Sequence, residues 1–360
     1  MLSGIISISQ LFFTFVIGIY FFVKLKSEYG ASNDEEYKKK AERLNAMRHV
    51  SLSEPLSEQA RPDKIEDIIG QEDGIKALKA ALCGKNPQHV IIYGPPGVGK
   101  TAAARVALNE AKKSAGTPFR YNACFIEADA TIMRYDERSV ADPLIGSVHD
   151  PIYQGAGAYG NSGVPEPKEG AVSKAHGGIL FIDEIGEMQP MQINRLLKVL
   201  EDRKVMFESA YYSSTNKNIP TYIHDIFQNG IPADFRMIGA TTRKPEEIPE
   251  AIRSRCVEVF FNALTRADIE KILKNAAEKL KIGIDENVIR FISLYSASGR
   301  DAIKLLQTAA NAVNMENRGV ITLSDAEWAV KAGRYKQVHG ICVGKDEHII
   351  DISVLKPNGS

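Results

Sequence analysis

The chain has 360 residues, long enough for more than one domain. Apolar residues make up 44% and charged residues 25%, a folded-protein balance that excludes general disorder. The 45 basic residues match 45 acidic ones, so no overall basic excess marks a dedicated nucleic-acid binder. Four cysteines, Cys83, Cys124, Cys256 and Cys342, form no C-x-x-C pair and fit no zinc or disulfide spacing.

Leu2–Val23 is an uncharged apolar run with one clear polar interruption, Gln10. About 20 such residues span a bilayer as a helix. Lys24 and Lys26 follow it, and no Lys or Arg precedes it. Residues 1–26 are therefore expected to be a single-pass membrane anchor, with the rest of the chain in the cytoplasm. A cleaved signal peptide would want a basic start and a small-x-small cleavage site, and neither is present. Residues 27–60 are polar and charged. Glu35 with Lys39 and Glu36 with Lys40 are i,i+4 pairs that support an exposed helix, so the segment reads as a stalk or linker.

His89–Tyr93 reads as a short buried strand, and an Ala-rich helical stretch begins after Lys100. Between them stands Gly94-Pro95-Pro96-Gly97-Val98-Gly99-Lys100-Thr101, a G-x-x-x-x-G-K-T loop in strand–loop–helix context. Glycines let backbone N–H groups turn inward around phosphate oxygens, and the following helix N-terminus adds its positive end. Lys100 is expected on the β and γ phosphates of ATP, and the Thr101 hydroxyl on Mg²⁺.

A second core strand is expected at Cys124–Ala128. Asp142–Gly170 then forms a long insert rich in Gly and Pro, with Tyr153 and Tyr159 among its glycines. Such a loop inside a compact domain is usually functional or disordered. Exposed tyrosines on such a loop could grip a polymer chain sterically; an ordinary surface loop is the plain alternative. Ile179–Ile182 reads as a fully buried strand that ends in Asp183 and Glu184. Unpaired carboxylates there would be costly, and a metal ion supplies the reason for them. Asp183 is expected to hold Mg²⁺, and Glu184 to polarise the attacking water. His176, just before this strand, is expected to be packed or pore-facing rather than a metal ligand.

Phe235–Thr242 is another apolar strand ending in hydroxyls. Thr242 is the first candidate to hold the attacking water and Thr241 the second. Ile252–Cys256 (IRSRC) offers two arginines before an apolar strand. Arg255, ahead of Arg253, is the candidate to reach a neighbour's γ-phosphate, because a planar guanidinium suits that group. Ser298-Gly299-Arg300-Asp301 opens a helix in the second half, and Arg300 is expected to approach the same phosphates.

This ordered set, from IIGQEDGI (68–75) through the phosphate loop to the SGR at 298–300, resembles the AAA+ ATPases over Arg61 to about Ala332. SLSEPLSEQARP, GQEDGIKALKAALCG, ADPLIGSVHDPIYQGAGAYG and Tyr222–Gly230 are similar to the Lon-like, membrane-anchored ATPases of the LonB sporulation type. The resemblance implies an α/β fold: a parallel five-stranded AAA+ sheet flanked by helices over residues 61–261, then a small all-helical lid at 262–332. It implies a homo-oligomeric, hexameric ring that pulls polypeptide through a pore into a protease chamber; the zero net charge and the anchor speak against a nucleic-acid partner. It also implies that Ile68 and Ile69 lie beside the adenine. The Lon pattern of a Ser-Lys dyad in a Gly-rich turn has no counterpart in residues 333–360, where Ser353 and Lys356 stand alone. These 360 residues are thus expected to carry the motor without a peptidase site. Two other functions compete. A nucleic-acid remodeller of branch-migration or activator type shares IGATTR and the insert layout. A non-catalytic ATP switch would not need Glu184.

Overall fold

A computed structural model describes Phe15 and residues 17–20, 39–48, 54–133, 142–149, 164–216 and 219–338. The chain divides into two compact units, Met1–Pro55 and Leu56–Ser360. In the first, Phe15 and residues 17–20 are helical and exposed, as are residues 39–48. Among the described residues no helix is long and apolar enough to cross a membrane. Most of the expected anchor at 1–26 lies outside the described residues, as do Glu35, Glu36, Tyr153, Tyr159 and the tail beyond 338.

The second unit is built on a five-stranded, all-parallel sheet. Its strands in chain order are β1 (His89–Tyr93), β2 (Phe125–Asp129), β3 (Ile179–Asp183), β4 (Arg236–Thr241) and β5 (Cys256–Phe260). In space they run β2-β3-β4-β1-β5, so β1 pairs with β4 on one side and β5 on the other. The second strand starts one residue later than the apolar pattern suggests.

Strand side chains alternate between faces, and both faces here are covered. Val90 and Ile92 of β1, with Ile179 and Phe181 of β3, pack under helices α1 (Glu72–Leu82) and α2 (Lys100–Ala111). Ile91, Tyr93, Leu180 and Ile182 point the other way, toward helix α3 (Pro190–Asp202). That double burial explains why HVIIY and ILFID are continuous apolar runs without a polar face.

Two excursions leave the sheet. Gly146–His149 and Glu166–Glu169 pair as an antiparallel hairpin at the base of the Gly-rich insert. Between α3 and β4, Lys204–Val205 pairs with Ile231–Pro232 and encloses helix α4 (Thr221–Asn229). The sequence pattern does not announce this second excursion. It is held by local aromatic packing, with Tyr212 stacked on Phe227 at 4.2 Å and its hydroxyl 3.0 Å from His224 Nδ1.

The lid comprises α5 (Arg266–Leu280), α6 (Glu286–Leu294), α7 (Gly299–Met315) and α8 (Leu323–Ala332). It departs from the all-helical expectation in one detail. Gly283–Ile284 and Val320–Ile321 form a short parallel pair that ties the α5–α6 and α7–α8 connections together. The stalk expectation also changes at its end, because Leu56 and Ala60 pack against the core of the second unit.

Candidate nucleotide site

The phosphate loop joins the C-terminal end of β1 to α2, the position where open α/β sheets bind ligands. Gly97 (φ 74°) and Gly99 (φ 96°) have left-handed backbones that side chains rarely adopt. A Cβ at Gly97 would also lie 2.8 Å from the Ser298 side chain. Gly99 is the N-cap of α2, so the first turn of that helix presents free N–H groups to the loop.

Lys100 is 8% exposed, and its ammonium donates to the carbonyls of Gly94 (2.6 Å) and Pro95 (2.9 Å). Burial pulls its pKa down, Glu184 and Asp183 oppose that shift, and Arg300 adds to it. Burial is also the main cause that raises the Asp183 carboxyl, helped by the nearby Glu184 charge and opposed by a bond from the Glu184 N–H. One end of the sheet therefore gathers a half-buried acid, a second acid and a buried cation. That donor set fits ATP with Mg²⁺: Lys100 and the loop N–H groups would hold phosphate, and Thr101 and Asp183 would hold the metal. The bound metal would supply charge neutralisation at the phosphates. Ile68, 7% exposed, lies against Gly99 of the loop, and its neighbour Ile69 is partly buried.

Glu184 also sits in a left-handed backbone, with φ 49° and ψ 49°. Its Oε2 accepts from the N–H and the hydroxyl of Thr242, each at 3.2 Å. Thr242 thus holds the carboxylate itself, where the sequence suggested only a water. Thr241 is fully buried and its Oγ1 accepts from Arg243 N–H at 3.1 Å.

The two arginines of IRSRC part company. Arg253 faces Glu258 at 3.8 Å, and Glu258 also accepts from the Tyr93 hydroxyl at 3.0 Å. Arg255 pairs with Glu201 and donates to the Ala251 carbonyl at 2.8 Å. Arg300 is among the charges acting on Lys100. His176 Nδ1 accepts from Asp234 N–H at 3.0 Å, a structural bond.

Sequence reasoning missed Gln71. Its amide is 2% exposed and makes two bonds to the Asn262 backbone, donating to the carbonyl and accepting from the N–H, both at 2.8 Å. Nothing in IIGQEDGI sets Gln71 apart from the polar Glu72 and Asp73 beside it; only its burial shows that its amide needs partners. A separate cavity of about 210 Å³ lies at the opposite ends of the strands, lined by Pro87, His89, Arg203, Asp234 and Arg236. Arg236 there is already bonded to Pro87 O (2.6 Å) and Asp234 Oδ1 (3.0 Å).

Lon protease 2 of Bacillus subtilis (strain 168) is 57% identical over 349 residues, 96% of this chain and 63% of that protein. Over nearly its whole length this chain is thus similar to a Lon protease. It spans 63% of the length of that Lon relative. A family model described as magnesium chelatase, subunit ChlI, matches residues 64–218 of this Lon-like chain. DNA polymerase III subunit gamma of Buchnera aphidicola subsp. Schizaphis graminum is 28% identical over 282 residues, 73% of this chain and 64% of that one. Among solved structures, the Thermotoga maritima RuvB Holliday junction branch migration motor superposes with a TM-score of 0.51 at 20% identity, covering 76% of this chain and 73% of that one. That likeness concerns the fold alone.

Proposed function

We propose that this Lon-like chain is an ATP-hydrolysing motor that unfolds and translocates polypeptide, working as a homo-hexameric ring tethered to the membrane. The observation that carries the reading is the convergence of Lys100, Asp183 and the Thr242-held Glu184 at one end of the sheet. Lys100 binds phosphate, Asp183 and Thr101 bind Mg²⁺, and Glu184 takes the proton of the attacking water. Arg300 approaches from the lid, and Arg255 serves the neighbouring subunit's site. Tyr153 and Tyr159 of the insert grip the substrate chain.

Two substitutions separate binding from chemistry. Lys100→Ala is expected to abolish tight ATP binding. Glu184→Gln is expected to keep binding and to slow turnover by roughly 10²–10⁴-fold, the usual contribution of a general base. Turnover at the wild-type rate in Glu184→Gln would overturn the assignment. The rate should rise with unfolded casein and not with duplex DNA; stimulation by DNA alone would favour a nucleic-acid remodeller. With casein and ATP·Mg²⁺, these 360 residues are expected to release phosphate and no acid-soluble peptide.

The membrane tether rests on the apolar run at Leu2–Val23 and on Lys24 and Lys26 after it. Phe15, Ile17 and Ile19, all helical, are 67%, 51% and 49% exposed, apolar surface that a bilayer would cover. The ATPase lies on the cytoplasmic side in this reading. Alkaline carbonate is expected to leave the full chain in the membrane pellet and to release a chain lacking residues 1–26. Release of the full chain would refute a spanning helix.

A further inference from the structure

The lid reaches the sheet through a short hinge. β5 ends at Phe260, and α5 begins at Arg266 with Thr265 as its N-cap. Two consecutive residues of one turn hold this hinge. Gln71 closes a two-bond ring on the Asn262 backbone across 191 residues of sequence. Gly70 lies so close to Asp268 that a Cβ there would be 2.8 Å from its carboxylate. Asp268 in turn accepts from the N–H (2.9 Å) and hydroxyl (2.7 Å) of Thr265. The same turn touches the phosphate loop, because Ile68 is the residue next to Gly99.

On the far side of the loop the lid closes the circuit. Ser298 packs on Gly97, and a Cβ on Gly299 would lie 3.4 Å from the Gly97 carbonyl. Arg300 follows directly on α7. The loop that holds phosphate and the helix that carries Arg300 are therefore linked through Gly70–Gln71 at the hinge.

We propose that Gln71 is a positioning residue: its two bonds to Asn262 fix the hinge angle that sets Arg300 over the phosphate loop. This rests on the ATPase reading of the site. An amide suits the task for a definite reason. It offers one donor and one acceptor in a plane, matching one backbone C=O and one N–H, and carries no charge to desolvate in a 2% exposed position. Without it, Asn262 loses both partners and the hinge gains other states.

The test is a double-mutant cycle with the full chain, using Gln71→Leu and Arg300→Ala. Leucine has similar bulk and forms neither bond. Gln71→Leu alone is expected to lower ATP turnover about tenfold and to speed hydrogen exchange at the Asn262 amide. In the Arg300→Ala background it is expected to lower turnover less than twofold further, because the group it positions is already gone. Gln71→Met, uncharged and of similar length, also lacks the amide's donor, so it should give the same loss, and it stands in for the leucine variant if that fails to fold. A full tenfold loss in the Arg300→Ala background would make Gln71 merely structural and overturn the proposal, as would wild-type turnover in Gln71→Leu. Failure of the ATPase reading is visible separately, as Lys100→Ala binding ATP like wild type; in that event the proposal falls with it, whatever the Asn262 exchange reports.

Discussion

His89 is a titratable residue that the chemistry does not use but the fold does. Its Nδ1 accepts from the Met237 N–H at 3.0 Å, so the neutral ring carries its proton on Nε2. Burial, chiefly, and then the charge of Arg236 lower its pKa from 6.5 to about 4. The unfolded chain therefore binds a proton that the fold refuses between those two values. Stability is complete above about pH 6.5 and is lost as pH falls toward about 4. At pH 5 the loss from this one group is about 2 kcal/mol. His89→Gln keeps an acceptor for Met237 and cannot titrate. Between pH 7 and 5, the unfolding free energy of wild type is expected to drop more than that of the variant. Parallel pH profiles in urea denaturation would show that His89 plays no such part. Glu184 illustrates the opposite case, a residue whose backbone is strained for its task. Its left-handed conformation costs a non-glycine residue about 1–2 kcal/mol, and the two bonds to Thr242 help to hold it.

Among the elements, the lid depends on side chains that tie helix starts to distant loops. Asp325 is 8% exposed and sits in the first turn of α8. It accepts from the Thr322 N–H (2.8 Å) and hydroxyl (2.6 Å), and takes a two-pronged pair with Arg318 at 3.0 and 2.5 Å. The Arg318 guanidinium holds its carboxyl well below the usual range. Asp325→Asn removes the charge and one acceptor without changing size. It is expected to destabilise the chain by roughly 1–3 kcal/mol, the range for a buried polar group left short of a partner. Faster hydrogen exchange should be concentrated in residues 320–332. A uniform change, or none, would show that the pair does not anchor α8. Residues 322–325 read T-L-S-D, so this cap was partly legible in sequence, whereas its pairing with Arg318 needs the turn that ends α7.

At the scale of the whole molecule, the question is whether Arg255 acts between copies. It is anchored to Glu201 and Ala251 in its own subunit, whereas Arg300 is among the charges acting on Lys100. Arg255→Ala is expected to cut turnover by roughly 10³-fold, the scale of an arginine finger. Mixing Arg255→Ala with Glu184→Gln subunits should restore part of it, since some interfaces then hold both intact groups. No recovery in verified mixed rings would count against action in trans. The phosphate loop and the acid-ending strand were determined by the sequence alone. Each is a run of contiguous residues whose backbone preferences and burial follow from neighbours in the chain. Only the tertiary structure decided which hydroxyl holds Glu184, 58 residues away, which acid anchors Arg255, 54 residues away, and what buries the Gln71 amide, 191 residues away. Those bonds form where sheet order and lid docking bring remote segments together, and no local pattern encodes the partner of a lone polar side chain.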